Sequence, residues 1–254
     1  MIEHFQDSAA TECENRTSEV FNDLISIIQD ERIYPVFQPI VSLRNGEVFG
    51  YEALARVQGT SNFDNPRDLF DYADQCCLAA ELDDVCHRKA LQKALDLNLG
   101  KHLFVNVSPA ILEQPDRIGQ TIAELTKHYC RDMPKIVLEL TETMQIENSD
   151  LFMKTASYYR NQRFLLAIDD FGSGYAGLQS LLLVEPNIVK IDRFIIEDIH
   201  HSTPKRLLLE SIVAFCHKIN IKVVAEGIET SEELRIVAES MTDYGQGFYI
   251  GKPD

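Results

Sequence analysis

Residues 164–177 read FLLAIDDFGSGYAG. Apolar residues followed by a glycine-punctuated turn are typical of a buried β-strand, here residues 164–170. The strand ends in two acids, Asp169 and Asp170, which repel each other and lose hydration when they are buried. A divalent metal ion is the simplest compensating partner. Because neighbouring strand residues point to opposite faces, both acids can reach metal only if the strand is ending or two ions bind.

Composition and charge exclude several classes of protein. The 254 residues are 45% hydrophobic and 25% charged, as in ordinary soluble globular domains. No stretch approaches the roughly 18 apolar residues that span a membrane, and the N-terminus lacks the pattern of a secretory signal. A net charge of −16 argues against binding of long nucleic acid. Six cysteines without a C-x-x-C pair favour free thiols, so we expect a cytoplasmic domain without membrane contact.

Strands and helices alternate along the chain. A polar leader or linker, residues 1–17, precedes a first helix that Ser18 caps. The turn Asn45-Gly46 joins two strands, which we predict to be antiparallel because so short a link cannot form a parallel crossover. The eight predicted strands are residues 35–41, 48–54, 102–108, 135–142, 164–170, 187–192, 222–229 and 245–251.

Local signals define several of the intervening helices. Asn65-Pro66 opens one helix, and Thr230 with Glu233 forms a capping box at the start of another. A third helix begins at Thr203-Pro204. Its inward-facing residues are predicted to be Leu208, Ile212 and Phe215.

This alternation favours an α/β barrel of the TIM or (β/α)8 type. The antiparallel first strand pair makes it a modified TIM barrel. A doubly wound open sheet is the alternative architecture. No linker divides the chain after the leader, so residues 18–254 are predicted to form one domain.

A polar residue lies near the C-terminal end of almost every predicted strand. These residues are Glu52, Asn106, Glu139, Asp169, Asp170, Lys190, Glu226 and Gln246. In a barrel, the C-terminal strand ends form the face where active sites are built. A buried polar pair explains any one of them, but not their recurrence in successive strands. Carboxylate and amide oxygens suit Mg²⁺ or Mn²⁺ rather than Zn²⁺.

The glycine-rich turn also fits two unrelated motifs. Residues 172–177 match G-x-G-x-x-G after a strand, with Asp192 as the acid of a dinucleotide-binding fingerprint. However, the two preceding aspartates would repel pyrophosphate, and only a short helix fits before Pro186. The D-F-G at residues 170–172 lacks the H-R-D loop of a kinase. Both interpretations are therefore disfavoured.

A series of short motifs runs through the chain in a distinctive order. They are Gln38-Pro39-Ile40, Glu52-Ala53-Leu54, Asn106, Glu139-Leu140-Thr141-Glu142, Asp169-Asp170-Phe171-Gly172, Lys190-Ile191-Asp192, Glu226-Gly227-Ile228-Glu229 and Gln246-Gly247. This combination resembles the EAL domain, a family of cyclic di-GMP phosphodiesterases. The resemblance implies a modified TIM barrel and metal-dependent hydrolysis to linear pGpG. It also implies a homodimer, and an upstream sensor or GGDEF-type domain in a longer protein.

The resemblance also assigns roles to individual residues. The implied metal ligands are Glu52, Asn106, Glu139, Asp169, Asp170 and Glu226. The implied catalytic residues are Lys190, Glu52, Glu226 and Gln246, with Lys190 positioning or deprotonating the attacking water. The implied substrate contacts are Gln38, Glu52, Leu54, Arg56, Asn106 and Asp192. Glu142 and Glu229 are implied to hold the loop 171–178, which is expected to contribute to dimer-linked regulation.

Two functions from different classes remain open at this point. One is an active phosphodiesterase, in which two ions about 4 Å apart stabilise the attacking and leaving oxygens. The other is a cyclic di-GMP receptor that binds without cleaving. Receptor-type relatives lack metal ligands or the lysine, whereas this chain has them all. Whether Lys190 acts as acid, base or orienting donor is not decided by the sequence.

Overall fold

The computed structural model describes residues 18–110, 114–128, 134–141, 149–173 and 177–254. Its centre is a closed barrel of eight strands, β1 to β8, in chain order. Strand β1 is antiparallel to both of its neighbours, β2 and β8, and every other neighbouring pair is parallel. The predicted modified TIM barrel is therefore confirmed, and the doubly wound open sheet is excluded.

The strands and helices have the following bounds. The strands are β1 Ile33–Ser42, β2 Val48–Val57, β3 His102–Asn106, β4 Lys135–Thr141, β5 Leu165–Phe171, β6 Ile188–Ile191, β7 Lys222–Ala225 and β8 Tyr244–Gly245. The helices are α1 18–29, α2 Pro66–Gln75, α3 Ala79–Asp96, α4 Asp116–His128, α5 Ser149–Asn161, α6 Gly177–Val184, α7 Arg193–Ile196, α8 Thr203–Lys218 and α9 Ser231–Glu239. None of the described helices is both long enough and apolar enough to cross a bilayer.

Three of the predicted local signals act as expected, whereas Ser18 lies within α1 instead of capping it. Gly46 adopts a φ of 72° in the turn between β1 and β2. Asn65 caps α2 by accepting a hydrogen bond from the Asp68 N–H at 3.0 Å. Thr230 and Glu233 form the predicted capping box of α9. These contacts satisfy backbone donors that the helix ends would otherwise leave unpaired.

One layer of apolar side chains fills the interior of the barrel. It is formed by Ile40, Phe104, Val137, Ala167, Ile188 and Val224. A larger cluster packs the outer faces of the strands against the helices. Both faces of most strands are thus apolar, which is why their sequences are nearly continuous hydrophobic runs. The interior layer supports the polar residues that follow it along each strand.

The predicted inward face of α8 is wrong. Leu208 and Phe215 are 49% and 40% exposed, whereas Leu209, Val213 and Cys216 are buried. Ile212 is only partly buried, at the edge of the core. The helix carries two apolar stripes at helical spacing, and periodicity alone does not determine which of them packs against the barrel.

The last two predicted strands are too long. Strand β7 ends at Ala225 and β8 at Gly245, so the residues from 226 and from 246 onward lie outside the sheet. Gly247 is suited to the segment that follows β8, because a Cβ there would collide with the Ile228 backbone. The backbone of this segment crosses too close to Ile228 for any larger residue.

The cysteines agree with the expected free thiols where they are described. Cys76, Cys77, Cys86 and Cys216 form no disulfide with one another. Cys13 and Cys130 lie outside the described residues, as does the predicted leader, residues 1–17.

Candidate active site

The period of the β-strand brings the predicted site residues to one level of the barrel. Successive residues on a strand alternate between faces, so the residue two positions after an interior residue also points inward. Each apolar residue of the interior layer in β3 to β7 is followed at this spacing by a predicted site residue. These five are Asn106, Glu139, Asp169, Lys190 and Glu226. In β1, which runs the opposite way, Gln38 precedes Ile40 by two positions.

The Lys190 ammonium lies at the centre of the acids. Its Nζ is 2.6 Å from Glu139 Oε1 and 2.7 Å from Glu226 Oε1. Asp169 Oδ1 lies at 3.1 Å and Glu52 Oε2 at 3.3 Å. The lysine is only 1% exposed. One buried cation therefore pairs with four carboxylates, and these come from four different segments of the barrel.

Three amide side chains continue this network. Gln246 Nε2 donates hydrogen bonds to Glu52 Oε2 at 2.6 Å and to Gln38 Oε1 at 3.0 Å. Asn106 Nδ2 donates to Glu52 Oε1 at 3.3 Å. Gln38 Nε2 in turn donates to the Gly251 carbonyl oxygen at 3.1 Å. Both oxygens of Glu52 are thus fixed by neighbours from separate segments of the barrel.

A local distortion of β5 directs both aspartates to the site. Asp170 adopts a φ of 53°, in the left-handed region, and the pairing of β5 with β6 shifts between Ile168 and Phe171. This irregularity breaks the alternation that would otherwise point the two side chains to opposite faces. Asp169, Asp170 and Glu226 each offer a carboxylate oxygen within 4.8 Å of the other two.

Charge pairing sets the ionisation of Lys190 and Glu52. Burial alone would lower the pKa of Lys190, but the surrounding carboxylates outweigh burial and raise it well above its ordinary value. Burial would raise the pKa of Glu52, yet the nearby ammonium and the hydrogen bonds that Glu52 accepts leave it lowered. Lys190 is therefore a cation and Glu52 an anion at neutral pH.

Three acids of the cluster, Glu139, Asp170 and Glu226, hold their protons more tightly than ordinary carboxyl groups. Burial raises the pKa of Glu139 and of Glu226 well above the ordinary value, and Lys190 opposes this only in part. Burial and the neighbouring charge of Asp169 raise the pKa of Asp170 to about 6. One ammonium does not neutralise five carboxylates, so the cluster requires further positive charge or bound protons.

The donor atoms of the cluster fit a hard divalent metal ion. Glu139 Oε2 and Gln246 Oε1 are buried, and neither has a hydrogen-bond partner among the described residues. Buried oxygens of this kind are normally satisfied, so unpaired ones at a charged site indicate ligand positions. The carboxylates supply the oxygen ligands that divalent cations such as Mg²⁺ prefer. The acidic cluster is thus a metal-binding site by its chemistry.

A cavity of about 480 Å³ adjoins the cluster at Asn106. Leu54 and Arg56 line it, as their predicted substrate roles require. Arg56 Nη1 donates to the Ala55 carbonyl oxygen at 2.8 Å, so the guanidinium is held at the side of the cavity. The cavity reaches α2, where Phe70 forms part of its wall.

The remaining predicted residues lie around the cluster. Asp192 caps α7 by accepting the Phe194 N–H at 2.7 Å, and its charge contributes to the raised pKa of Asp170. Glu229 pairs with Arg193 at 2.9 Å. Glu142 and part of the loop 171–178 lie outside the described residues.

The sequence analysis missed two residues of the cavity wall. Asp83 and His87 are 2% exposed, and both line the cavity from α3. Their signal was present, since an acid and a histidine one helical turn apart interrupt the apolar face of α3. Arg193, the partner of Glu229, was also missed; nothing in the sequence around it sets it apart from an ordinary surface arginine.

The fold and the cluster define a class of protein: a (β/α)8-type barrel with an acidic metal-binding site at the C-terminal ends of its strands. Residues 22–253 match the family described as the EAL domain. The chain belongs to the EAL domain family.

Several known proteins are similar to this chain. The probable cyclic di-GMP phosphodiesterase PdeG of Escherichia coli K12 is 27% identical over 89% of the chain. The cyclic di-GMP phosphodiesterase PdeR of the same organism is 29% identical over 91% of it. The solved structure of a standalone versatile EAL protein from Vibrio cholerae O395, in a c-di-GMP-bound form, is 31% identical. Its TM-score is 0.76, and the match covers 87% of this chain and 92% of that one.

The chain spans less than half the length of the curated relatives that it matches. The match covers 45% of PdeG and 35% of PdeR.

Proposed function

We propose that this chain is a metal-dependent phosphodiesterase that hydrolyses cyclic di-GMP to linear pGpG. The single observation that carries the proposal is the buried pairing of Lys190 with Glu52, Glu139, Asp169 and Glu226 at the C-terminal face of the barrel. So much buried charge is costly to maintain, and structural stability alone does not require it. Named relatives that act on cyclic di-GMP support the choice of substrate.

The proposed cofactors are two Mg²⁺ or Mn²⁺ ions. They would be held by Glu52, Asn106, Glu139, Asp169, Asp170 and Glu226. When bound, such ions lower the pKa of coordinated water and stabilise the charge that develops on phosphoryl oxygens. Asp169 contacts the Lys190 ammonium at 3.1 Å and also has a carboxylate oxygen within 4.8 Å of Asp170 and Glu226, so it would connect the lysine to the metal site.

In the metal-free site, Lys190 is a charged hydrogen-bond donor. The surrounding carboxylates raise its pKa, so the ammonium there has no free electron pair at neutral pH. A base must be deprotonated before it can accept a proton from water. The ammonium can instead donate a hydrogen bond that orients the attacking water and stabilises negative charge in the transition state.

The cavity beside Asn106 is the proposed substrate site. Leu54 offers an apolar surface for a base or a ribose, and the Arg56 guanidinium can donate paired hydrogen bonds to a phosphate. Gln38 and Gln246 are hydrogen-bonded to each other, and Gln246 links this pair to Glu52. Asp192 acts through Asp170 in this arrangement, because it lies beside that carboxylate.

The wider setting of the domain is also a proposal. We propose a homodimer in the cytoplasm, with this domain forming part of a longer sensor protein. The apolar residues Leu208 and Phe215 on the exposed face of α8 support a protein contact there. The free cysteines are consistent with a reducing compartment.

Separation of reaction products tests the proposed activity. Purified protein is incubated with cyclic di-GMP and either Mg²⁺, Mn²⁺ or excess chelator. Linear pGpG should form with either ion and not with chelator. Asp169→Asn, which keeps the side-chain volume but removes one charge, should abolish turnover. If the wild-type protein binds cyclic di-GMP tightly but leaves it intact with both ions, the chain is a receptor rather than an enzyme.

A further inference from the structure

Two buried polar residues of α3 contact the strand end that carries Asn106. His87 Nε2 lies 2.7 Å from the Asn106 carbonyl oxygen. Asp83 Oδ2 accepts the Ser108 N–H at 3.0 Å. Asp83 and His87 are one helical turn apart, so they project from the same face of the helix. They contact the backbone on both sides of Val107.

The contact with Asn106 determines the protonation of His87 at Nε2. A carbonyl oxygen only accepts hydrogen bonds, so Nε2 must carry a proton and donate it. The other ring nitrogen, Nδ1, is buried without a hydrogen-bond partner in the described part of the chain. A leucine at this position would leave no buried nitrogen unpaired. Packing alone therefore does not explain a histidine here, whereas the need for an Nε2–H donor does.

The two contacts lie where β3 leaves the barrel. Asn106 is the last residue of the strand, and the Val107 N–H still donates to the Glu139 carbonyl oxygen at 3.1 Å. From that point the chain turns away from the sheet, so its backbone groups need other partners. His87 and Asp83 supply partners for the Asn106 carbonyl and the Ser108 N–H.

Fixing this backbone also fixes the Asn106 side chain. Its Nδ2 donates to Glu52 Oε1, which leaves the carboxamide oxygen as the atom that can meet a metal ion. A shift of the Asn106 backbone would move this oxygen and would also disturb the hydrogen bond to Glu52. Partners that orient the ligands of a metal are commonly as important to affinity as some of the ligands.

We propose that Asp83 and His87 are positioning residues that hold the end of β3 so that the Asn106 carboxamide oxygen faces the metal site. The inference rests on the proposed function, because it assigns Asn106 to the metal ions. Both residues act through the β3 backbone and not by touching the reacting atoms. Their described hydrogen bonds go to this backbone and not to the acidic cluster.

Calorimetric titration of Mn²⁺ into the purified whole chain, without substrate, tests this role. His87→Leu removes the donor and should weaken Mn²⁺ affinity by about 10- to 100-fold. His87→Gln, whose side-chain amide can still donate, should recover most of that loss. Val85→Ala is the matched control, because Val85 is buried on the same helix but faces a separate apolar cluster. It should lower the unfolding temperature and leave Mn²⁺ affinity unchanged.

If His87 has a purely structural role, the same set of variants should behave differently. If His87→Leu lowers the unfolding temperature but binds Mn²⁺ within about twofold of wild type, the positioning role is overturned. Should His87→Leu not fold, His87→Asn provides the same test, because its shorter amide does not reach the Asn106 carbonyl. Metal affinity is measured apart from turnover. A wild-type chain that binds Mn²⁺ but does not cleave cyclic di-GMP would contradict the proposed activity and leave this comparison valid.

Discussion

At the scale of single residues, Lys190 determines the electrostatics of the site. Its ammonium pairs with four carboxylates, each of which comes from a different segment of the barrel. Removing one partner of a buried charge pair costs far more than the pair itself contributes, because the remaining charges are left uncompensated. The lysine therefore stabilises the metal-free site as well as serving the proposed reaction.

Lys190→Met should separate these two effects. Turnover should fall by about 10²- to 10⁴-fold, since the donor to the attacking water is lost while the substrate cavity remains. Without metal, the variant should also lose about 3–5 kcal/mol of stability at neutral pH. The deficit should shrink in acid, where the carboxylates take up protons, and on addition of Mg²⁺. Steady-state kinetics and chemical denaturation check both parts. Turnover near the wild-type value would restrict Lys190 to a structural role.

Asp170 should make metal binding depend on pH. Burial and the adjacent Asp169 charge raise its pKa to about 6, so below this pH a proton competes with the metal for the carboxylate. Metal affinity should rise from pH 5 to pH 7, by up to about tenfold per unit on the acid side. The Asp170→Asn variant should bind metal more weakly. Its metal affinity should also lose the part of the pH dependence that Asp170 causes. Calorimetry at several pH values provides the measurement, and an affinity that is constant across this range would contradict the assignment.

At the scale of secondary-structure elements, α8 shows where sequence periodicity reaches its limit. The helix has apolar residues on two faces, and packing against the barrel selects the face of Leu209, Val213 and Cys216. Leu208, one residue away from Leu209, remains about half exposed. Leu208 and Leu209 thus have identical side chains but make very different contributions to stability.

A pair of alanine substitutions in α8 should reveal this difference. Leu209→Ala removes a fully buried side chain and should cost about 2–5 kcal/mol of unfolding free energy. Leu208→Ala should change it by no more than about 0.5 kcal/mol, as is usual for exposed sites. Denaturant titration at low protein concentration distinguishes the two. A larger cost for Leu208→Ala than for Leu209→Ala would mean that the helix packs with the other face.

Asp243, which directly precedes β8, contacts both α8 and β7. It accepts hydrogen bonds from Lys222 Nζ at 2.7 Å, His217 Nε2 at 2.9 Å and the Val223 N–H at 3.0 Å. Burial opposes ionisation of Asp243, but these donors outweigh it and lower its pKa. The folded state therefore favours the ionised carboxylate, which links α8 and β7 to the segment before β8.

Asp243→Ala should destabilise the domain, with a defined pH dependence. Losing charged hydrogen bonds of this kind costs about 1.5–3 kcal/mol. Because the folded-state pKa is the lower one, the stabilisation is present above the ordinary value of 3.8 and is lost as the pH falls through the folded value. Thermal unfolding of the variant and the wild type should thus differ at pH 7 and converge in strong acid. A difference that grows in acid would contradict this account.

At the scale of the whole molecule, the architecture could be predicted because its signals are local and repeated. The hairpin at Asn45-Gly46 and the alternation of strands and helices together specified a barrel with an antiparallel first pair. The position of the site at one end of the barrel was predicted from the polar residues at successive strand ends. Strand lengths near residues 226 and 246 were wrong, because close approaches between distant segments, such as Gly247 against Ile228, are not encoded in local pattern.

Other features of the site also depend on contacts between distant segments. The left-handed conformation of Asp170, which turns both aspartates to one side, is set by the pairing of β5 with β6. The contacts of His87 and Asp83 with β3 join a helix to a strand end that the sequence does not relate to it. Likewise, the carboxylates that make Lys190 a cation in the metal-free site come from four separate segments of the chain.

The central claim is that one acidic cluster at the mouth of the barrel holds the metal ions of a phosphodiesterase. The most direct test is anomalous diffraction from crystals of the protein grown with Mn²⁺ and linear pGpG, the proposed product, because cyclic di-GMP would be cleaved. We predict anomalous peaks within ligand distance of Asp169, Asp170 and Glu226, with a phosphate of the product beside them. Absence of manganese from this cluster in crystals that hold pGpG would contradict the account.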